Sequence, residues 1–185
     1  MEDILDQHQS ALICVHFIVT DLRRKTFERA VKLLAAKPRS VAELRERLLR
    51  AKGADEDVVN IVISRLQEYG YLDDERFAFS YASFKVKQRP VGRRRLERDL
   101  KFKKVESDVV SEALELVYAE TSEEQLIDQA IAKRLRIRGR PKNRVEAKSL
   151  FDHLLRQGFE FDLVREKIRS LTTDDADEVN STDDW

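Results

Sequence analysis

Residues that break regular structure are scarce in this 185-residue chain, which holds five glycines and three prolines. So few turn formers leave little room for the short strands and tight hairpins of an all-β domain. Cysteine is nearly absent as well. Cys14 alone excludes an intramolecular disulfide framework, and although His8 and His16 lie close by, no second Cys/His pair completes a four-ligand metal site. A buried thiol and two ordinary histidines are therefore expected, with no metal and no cofactor. Long apolar runs are missing too. Ala11 to Val19 is about half the length of a bilayer span and is interrupted by His16. Glu2, Asp3 and Asp6 stand where a secretory signal carries bases, so a cytoplasmic chain with no membrane association is expected. No G-x-x-x-x-G-K-[ST] loop is present to cradle a nucleotide phosphate.

What the chain does have is charge and helical periodicity. Charged residues make up 38% and hydrophobic residues 42%, a balance that favours helices with long solvated faces over disorder. The 35 basic and 35 acidic residues cancel, yet they are sorted along the chain. Lys85 to Lys104 holds ten bases against two acids, Lys133 to Lys148 eight against one, and Asp174 to Asp184 six acids and no base.

From Thr26 one pattern is written three times. Each copy has an apolar helix, a proline-bearing connection, a second helix with a Leu pair, and a third apolar helix. The leucine pairs are Leu44 with Leu48, Leu96 with Leu100, and Leu150 with Leu154. The step from Leu44 to Leu96 is 52 residues and that from Leu96 to Leu150 is 54. All three prolines, Pro38, Pro90 and Pro141, precede the middle helix of a copy, where a fixed φ and a missing N–H do least harm. These regularities predict an all-α protein, an elongated array of three tandem three-helix repeats. The repeats run over 26–72, 73–120 and 121–171, with an N-terminal extension over 1–25, read as a helix, and a disordered acidic tail over 172–185. Ser40 to Glu43 and Thr121 to Glu124 read as capping boxes.

Between the first two copies lies Tyr69-Gly70-Tyr71-Leu72-Asp73-Asp74-Glu75-Arg76-Phe77-Ala78. Gly70 closes the preceding helix, Tyr71 and Leu72 return apolar surface to the core, and Asp73 caps the next helix with Asp74 and Glu75 at its positive end. Paired carboxylates can serve acid–base chemistry, but no His, Lys or further carboxylate completes a catalytic set, so capping is the role assigned and no enzyme is expected. Phe77, Ala78, Tyr81 and Phe84 are read as a buried stripe, not as a stacking platform for bases.

Two basic clusters are the candidate binding residues. Lys85, Lys87, Arg89, Arg93, Arg94, Arg95 and Arg98 surround the second proline connection, and Arg134, Arg136, Arg138, Arg140, Lys142 and Arg144 surround the third. A charge run is ordinarily a solvated helix face. Recurrence at equivalent places in successive repeats favours a surface built for a phosphate backbone or an acidic protein groove, with phosphate contacts and little base readout.

The run Gly70 to Ala78, followed by the basic Lys85 to Leu96 segment, resembles the signature of the RecX family, and the resemblance covers residues 26 to 171. It marks Gly70, Tyr71, Leu72, Asp73, Asp74, Phe77 and Ala78 as the family motif at a structural hinge. It implies a monomeric regulator that binds the RecA recombinase filament on single-stranded DNA and lowers its ATPase, strand-exchange and co-protease activities. The interaction role then falls on Lys85 to Arg95. The family commonly has a Lys-Gly step where this chain reads Lys103-Lys104-Val105, which calls the geometry of that turn into question. The alternative is a helical repeat protein that binds nucleic acid directly and without sequence preference.

Overall fold

A computed structural model of the chain describes the backbone of residues 3–180 and the side chains of residues 20–171. Among the described residues every regular element is a helix: α1 (Asp3–Ala36), α2 (Val41–Leu49), α3 (Glu56–Glu68), α4 (Asp74–Gln88), α5 (Arg93–Phe102), α6 (Ser107–Glu120), α7 (Glu123–Arg138), α8 (Arg144–Gln157) and α9 (Phe161–Asn180). Each of Pro38, Pro90 and Pro141 stands three residues before its middle helix, α2, α5 or α8. The leucine pairs of those helices are buried, from 0% exposed at Leu44, Leu96, Leu100 and Leu154 to 4% at Leu150.

The N-terminal extension is helical, as expected. No break separates the N-terminal extension from the first repeat, because 1–25 holds no glycine or proline and α1 is one helix of 34 residues. At the other end, α9 continues past Leu171 to Asn180 where a disordered tail from Thr172 was expected. Thr172 to Asn180 also lacks a glycine or proline to stop a helix already under way. Trp185 and the rest of 181–185 lie outside the described residues, as do the side chains of His8, Cys14 and His16.

The chain forms two compact units, Met1–Phe77 with Lys103–Val105, and Ala78–Phe102 with Glu106–Trp185. In the first unit, α1, α2 and α3 bury Ala30, Leu44, Leu48, Val59, Val62, Ile63, Leu66 and Leu72 together. Local chemistry sets its corners. The Ser40 side chain caps α2 by accepting from Glu43 N at 3.1 Å, and Asp55 caps α3 by accepting from Val58 N at 2.9 Å. Half of the expected capping box is present at α2: the Glu43 carboxylate turns instead towards Lys103 Nζ, 3.5 Å away. Gly70, at φ 68°, ends α3, with Gly70 N donating to Gln67 O and Tyr71 N to Leu66 O, the paired bonds of a left-handed helix stop.

The hinge itself needs one correction. Leu72 is 3% exposed and returns to the core, but Tyr71 is 66% exposed and packs edge-on against Tyr69. One apolar residue fills the gap behind the glycine turn, and its neighbour points away. Asp73 caps α4 as expected, accepting from Arg76 N at 2.9 Å, while Asp74 Oδ1 accepts from Val41 N at 2.9 Å and ties the start of α4 to the start of α2. The turn before α6 belongs to this unit too. Ser40 Oγ donates to Lys103 O, Lys104 Nζ pairs with Glu46, and Lys104 sits at φ 59°.

In the second unit the buried stripe of α4 is Ala78, Ala82 and Val86, one residue in every four. Phe77 and Tyr81 flank it half-buried, and Phe84, two residues on from Ala82 and so on the opposite face of the helix, is 57% exposed. The expectation of a buried Phe84 is therefore overturned. Ser122, not Thr121, caps α7 by accepting from Glu124 N at 3.2 Å, because Thr121 closes α6. Asn143 caps α8, accepting from Glu146 N at 2.9 Å, with Glu146 Oε2 taking Lys142 N at 2.8 Å.

Candidate functional site

Both basic clusters lie in the second unit, so their surroundings can be compared directly. The first runs off the end of α4 and onto α5. Lys85 and Lys87 occupy the last turn of α4, where cations favour the negative end of the helix dipole, and Lys85 Nζ lies 5.4 Å from the centroid of the Tyr81 ring. Lys87 and Arg89 are exposed.

From Val91 onward the chain is held from all sides. Tyr118 Oη donates to Val91 O at 2.9 Å, and burial holds the Tyr118 phenol well above its ordinary value. Gly92 N donates to Gln157 O at 3.0 Å and Arg94 N to Gly158 O at 3.1 Å. Arg93 N donates to Glu123 Oε1 at 3.0 Å. Side chains follow the backbone: Arg94 pairs with Glu160 at 2.8 Å, Arg95 Nη1 donates to Gln157 Oε1 at 3.2 Å, and Arg93 is 3.9 Å from Glu115.

These contacts bring two glycines face to face. A Cβ on Gly92 would lie 2.2 Å from the carbonyl carbon of Gly158 and from Phe159 N. Gly158, at φ 91°, ends α8 and would place its own Cβ 2.4 Å from Arg95 N. The two backbones touch only because both side chains are missing. Arg93 to Arg95 thus sit on a latch that fastens the start of α5 to the end of α8.

The second cluster has no such latch. Arg134 to Arg138 lie on the last turns of α7, whose carbonyl end suits cations, and Gly139, Arg140, Pro141 and Lys142 lead into α8. Together with Ser149 and Leu150 of α8, Arg134, Arg138, Arg140 and Lys142 line a cavity of about 310 Å³. Among the described residues no ion pair engages Arg134, Arg136, Arg138, Lys142 or Arg144. The field of these cations shows at His153, one helical turn beyond Ser149. Burial lowers its pKa from the ordinary 6.5, and the charges of Arg134, Arg156 and Arg138 lower it further.

Elsewhere, the first unit has an apolar depression of about 880 Å³ lined by Phe27, Val31, Leu34, Ala35, Leu66, Tyr69 and Tyr71, with no converging charge. Among the described residues no three His, Cys, Asp or Glu side chains gather as metal ligands. Sequence reasoning missed His153 and the caps Asn143 and Asp55. Asn143-x-x-Glu146 was a readable capping signal, whereas nothing in the sequence places His153 beside Arg134.

Helices joined in three-helix units define a modular all-helical protein. The comparisons say which kind. Residues 27–66 match the RecX first three-helix domain and residues 73–114 the RecX second three-helix domain. The regulatory protein RecX of Bacillus velezensis is 32% identical over 158 residues, which is 84% of this chain and 59% of the relative. That of Prosthecochloris aestuarii is 29% identical over 150 residues, 81% of this chain and 95% of the relative. The crystal structure of RecX from Lactobacillus salivarius superposes with a TM-score of 0.72 at 20% identity, covering 83% of this chain and 99% of that one, and so shares its fold. The chain belongs to the RecX family. It spans about three fifths of the length of the Bacillus velezensis relative.

Proposed function

We propose that this chain is a cytoplasmic regulatory protein that binds the RecA filament on single-stranded DNA and lowers its ATPase, recombinase and co-protease activities in DNA repair and the SOS response. It acts by binding and not by catalysis. The observation that supports this reading most directly is the match of two successive three-helix domains to those of RecX. In keeping with it, α7–α9 is a third three-helix repeat, and the chain works as a monomer. The motif Gly70 to Ala78 is then a structural hinge, which accords with the helix stop at Gly70 and the cap at Asp73. Among the described residues no helix is long and apolar enough to cross a membrane.

A binding protein of this kind regulates a filament by preferring one of its geometries over another, since only differential affinity shifts such an equilibrium. The test is the single-stranded-DNA-dependent ATPase of the cognate RecA, measured as this protein is titrated in from far below stoichiometric amounts. Inhibition at small ratios is the expected result. No change until the protein saturates the DNA would replace this reading with direct, sequence-independent nucleic-acid binding, a reading that the open Arg134 to Lys142 cavity favours in its own right.

A further inference from the structure

We propose that the groove between the C-terminal turns of α7 and the body of α8 binds the phosphodiester backbone of a single nucleic-acid strand, with Arg134, Arg138, Arg140 and Lys142 as its phosphate donors. The inference rests on the functional reading above for its biological setting and adds to it the chemical class that this groove takes.

Three observations carry it. First, Arg134, Arg138, Arg140 and Lys142 line one concavity of about 310 Å³, room for a phosphate and its sugar, against a single carboxylate, Glu146, whose Oε2 accepts from Lys142 N. Guanidinium groups present planar forks that match phosphate oxygens, and a lysine adds a point charge. Second, three of the four cations are not consumed in ion pairs. Arg134, Arg138 and Lys142 enter no ion pair among the described residues, whereas Arg94 and Arg95 of the other cluster are tied to Glu160 and Gln157. Third, His153 registers their uncompensated charge. The charges bearing on it among the described residues are Arg134 and Arg138 from α7 and Arg156 from α8 itself, all cations.

The lining also separates nucleic acid from an acidic protein surface. A protein interface builds on a desolvated core of aromatic or large apolar side chains with charge at its rim. Here charged side chains make up half of the lining, and the Leu150 that joins them is 4% exposed and already part of the fold. No aromatic ring lines the groove, so bases find no stacking partner and binding is to phosphates irrespective of sequence.

The decisive experiment uses the full chain without RecA. Binding of a 20-nucleotide oligothymidylate is followed by fluorescence anisotropy across a salt series, for the native chain, Arg134→Ala/Arg138→Ala, and the charge-matched control Arg47→Ala/Arg50→Ala. We expect the groove variant to bind at least about tenfold more weakly and its log–log salt slope to fall by about 1.4, for two lost contacts to a single strand. The control should bind like the native chain. Equal weakening of both variants, or of neither, would overturn the proposal.

His153 supplies a readout that misfolding cannot imitate. A phosphate seated between Arg134 and Arg138 offsets their charge, so the imidazole pKa rises when the strand binds, and binding tightens as pH falls towards the value of the free protein. Proton NMR of His153 should show that rise on adding the oligonucleotide, and no rise in the groove variant. Poly-glutamate that displaces the strand and shifts His153 equally would assign the groove to an acidic protein surface instead. If the groove variant loses the strand yet still inhibits RecA, the phosphate site stands and the filament is held elsewhere. If inhibition is absent in the native chain, the filament reading fails while the phosphate site stands.

Discussion

The basic segment at the start of α5 and the one at the end of α7 are both rich in arginine, and each flanks a proline connection. Their surroundings differ in every respect that matters for binding. At α5 the backbone of Gly92 and Arg94 is bonded to the end of α8, Glu123 holds Arg93 N, and Glu160 and Gln157 hold two of the three arginine side chains. At α7 the cations lean over a cavity and raise the local potential enough to weigh on a histidine. A cation run therefore carries no fixed meaning. Whether carboxylates and carbonyl oxygens from other helices arrive beside it decides between fastening the fold and meeting a partner.

The sharpest way to break this contrast is to spoil the latch. Gly92→Ala places a methyl group against the backbone of Gly158 and Phe159, which cannot move aside like a side chain, so a loss of about 3 kcal/mol is expected in urea unfolding. The same change at Gly139, whose added Cβ would meet nothing within 4 Å, should cost only the backbone strain of a φ of 77° with a ψ of 175°, about 1–3 kcal/mol. Next in size comes a swap of charges. Arg134→Glu/Arg138→Glu should leave the unfolding midpoint within about 0.5 kcal/mol of the native value and weaken strand binding more than tenfold. Arg94→Glu/Arg95→Glu should do the reverse, lowering stability by roughly 1 kcal/mol through lost and repelled partners and changing strand binding little. Equal effects on both readouts would erase the distinction between the clusters.

Smaller still, Tyr118→Phe removes the donor to Val91 O and should cost about 1 kcal/mol, with no effect on oligonucleotide affinity. The last prediction concerns pH. Burial raises the pKa of Glu123 above the ordinary 4.5, against the opposing pull of the Arg93 amide. The folded chain then holds this proton more tightly than the unfolded chain. Its contribution favours folding below the raised value and is lost as pH climbs from 4.5 through that value. Glu123→Gln, which keeps an acceptor for Arg93 N, should flatten stability over that window. An unchanged pH profile would show that Glu123 is solvated as an ordinary carboxylate.

Much of the fold was legible in the sequence because its signals are local. Leucine spacing, proline placement, the Gly70 stop and the Asp73 cap each depend on a few neighbouring residues, and each stands where periodicity puts it. Errors arose where two candidates sat side by side. Tyr71 and Leu72 both follow the glycine, yet only one fits behind it. Phe84 and Val86 both belong to α4, yet one residue in four along Ala78, Ala82 and Val86 faces inward. The candidate site was harder to read, because pairing is a matter of distance in space: Arg94 with Glu160 and Arg95 with Gln157 are 66 and 62 residues apart. Nothing in the local run of arginines distinguishes those that will meet a partner helix from those that will not.

The short turn at Lys103 to Val105 carries a consequence for how the chain is made. Those residues complete the first unit, through the carbonyl that Ser40 holds and the lysines beside Glu43 and Glu46, although all of α5 and most of α4 have been synthesised in between. On a ribosome, α1 to α3 can collapse as soon as they emerge, but the cap of α2 gains its last partner only about thirty residues after α4 begins, and domains emerging first normally fold first. A cut after Asp73 would therefore yield an N-terminal piece that lacks Asp74 to Phe77 as well as Lys103 to Val105. The natural fragment for isolating that half reaches Val105.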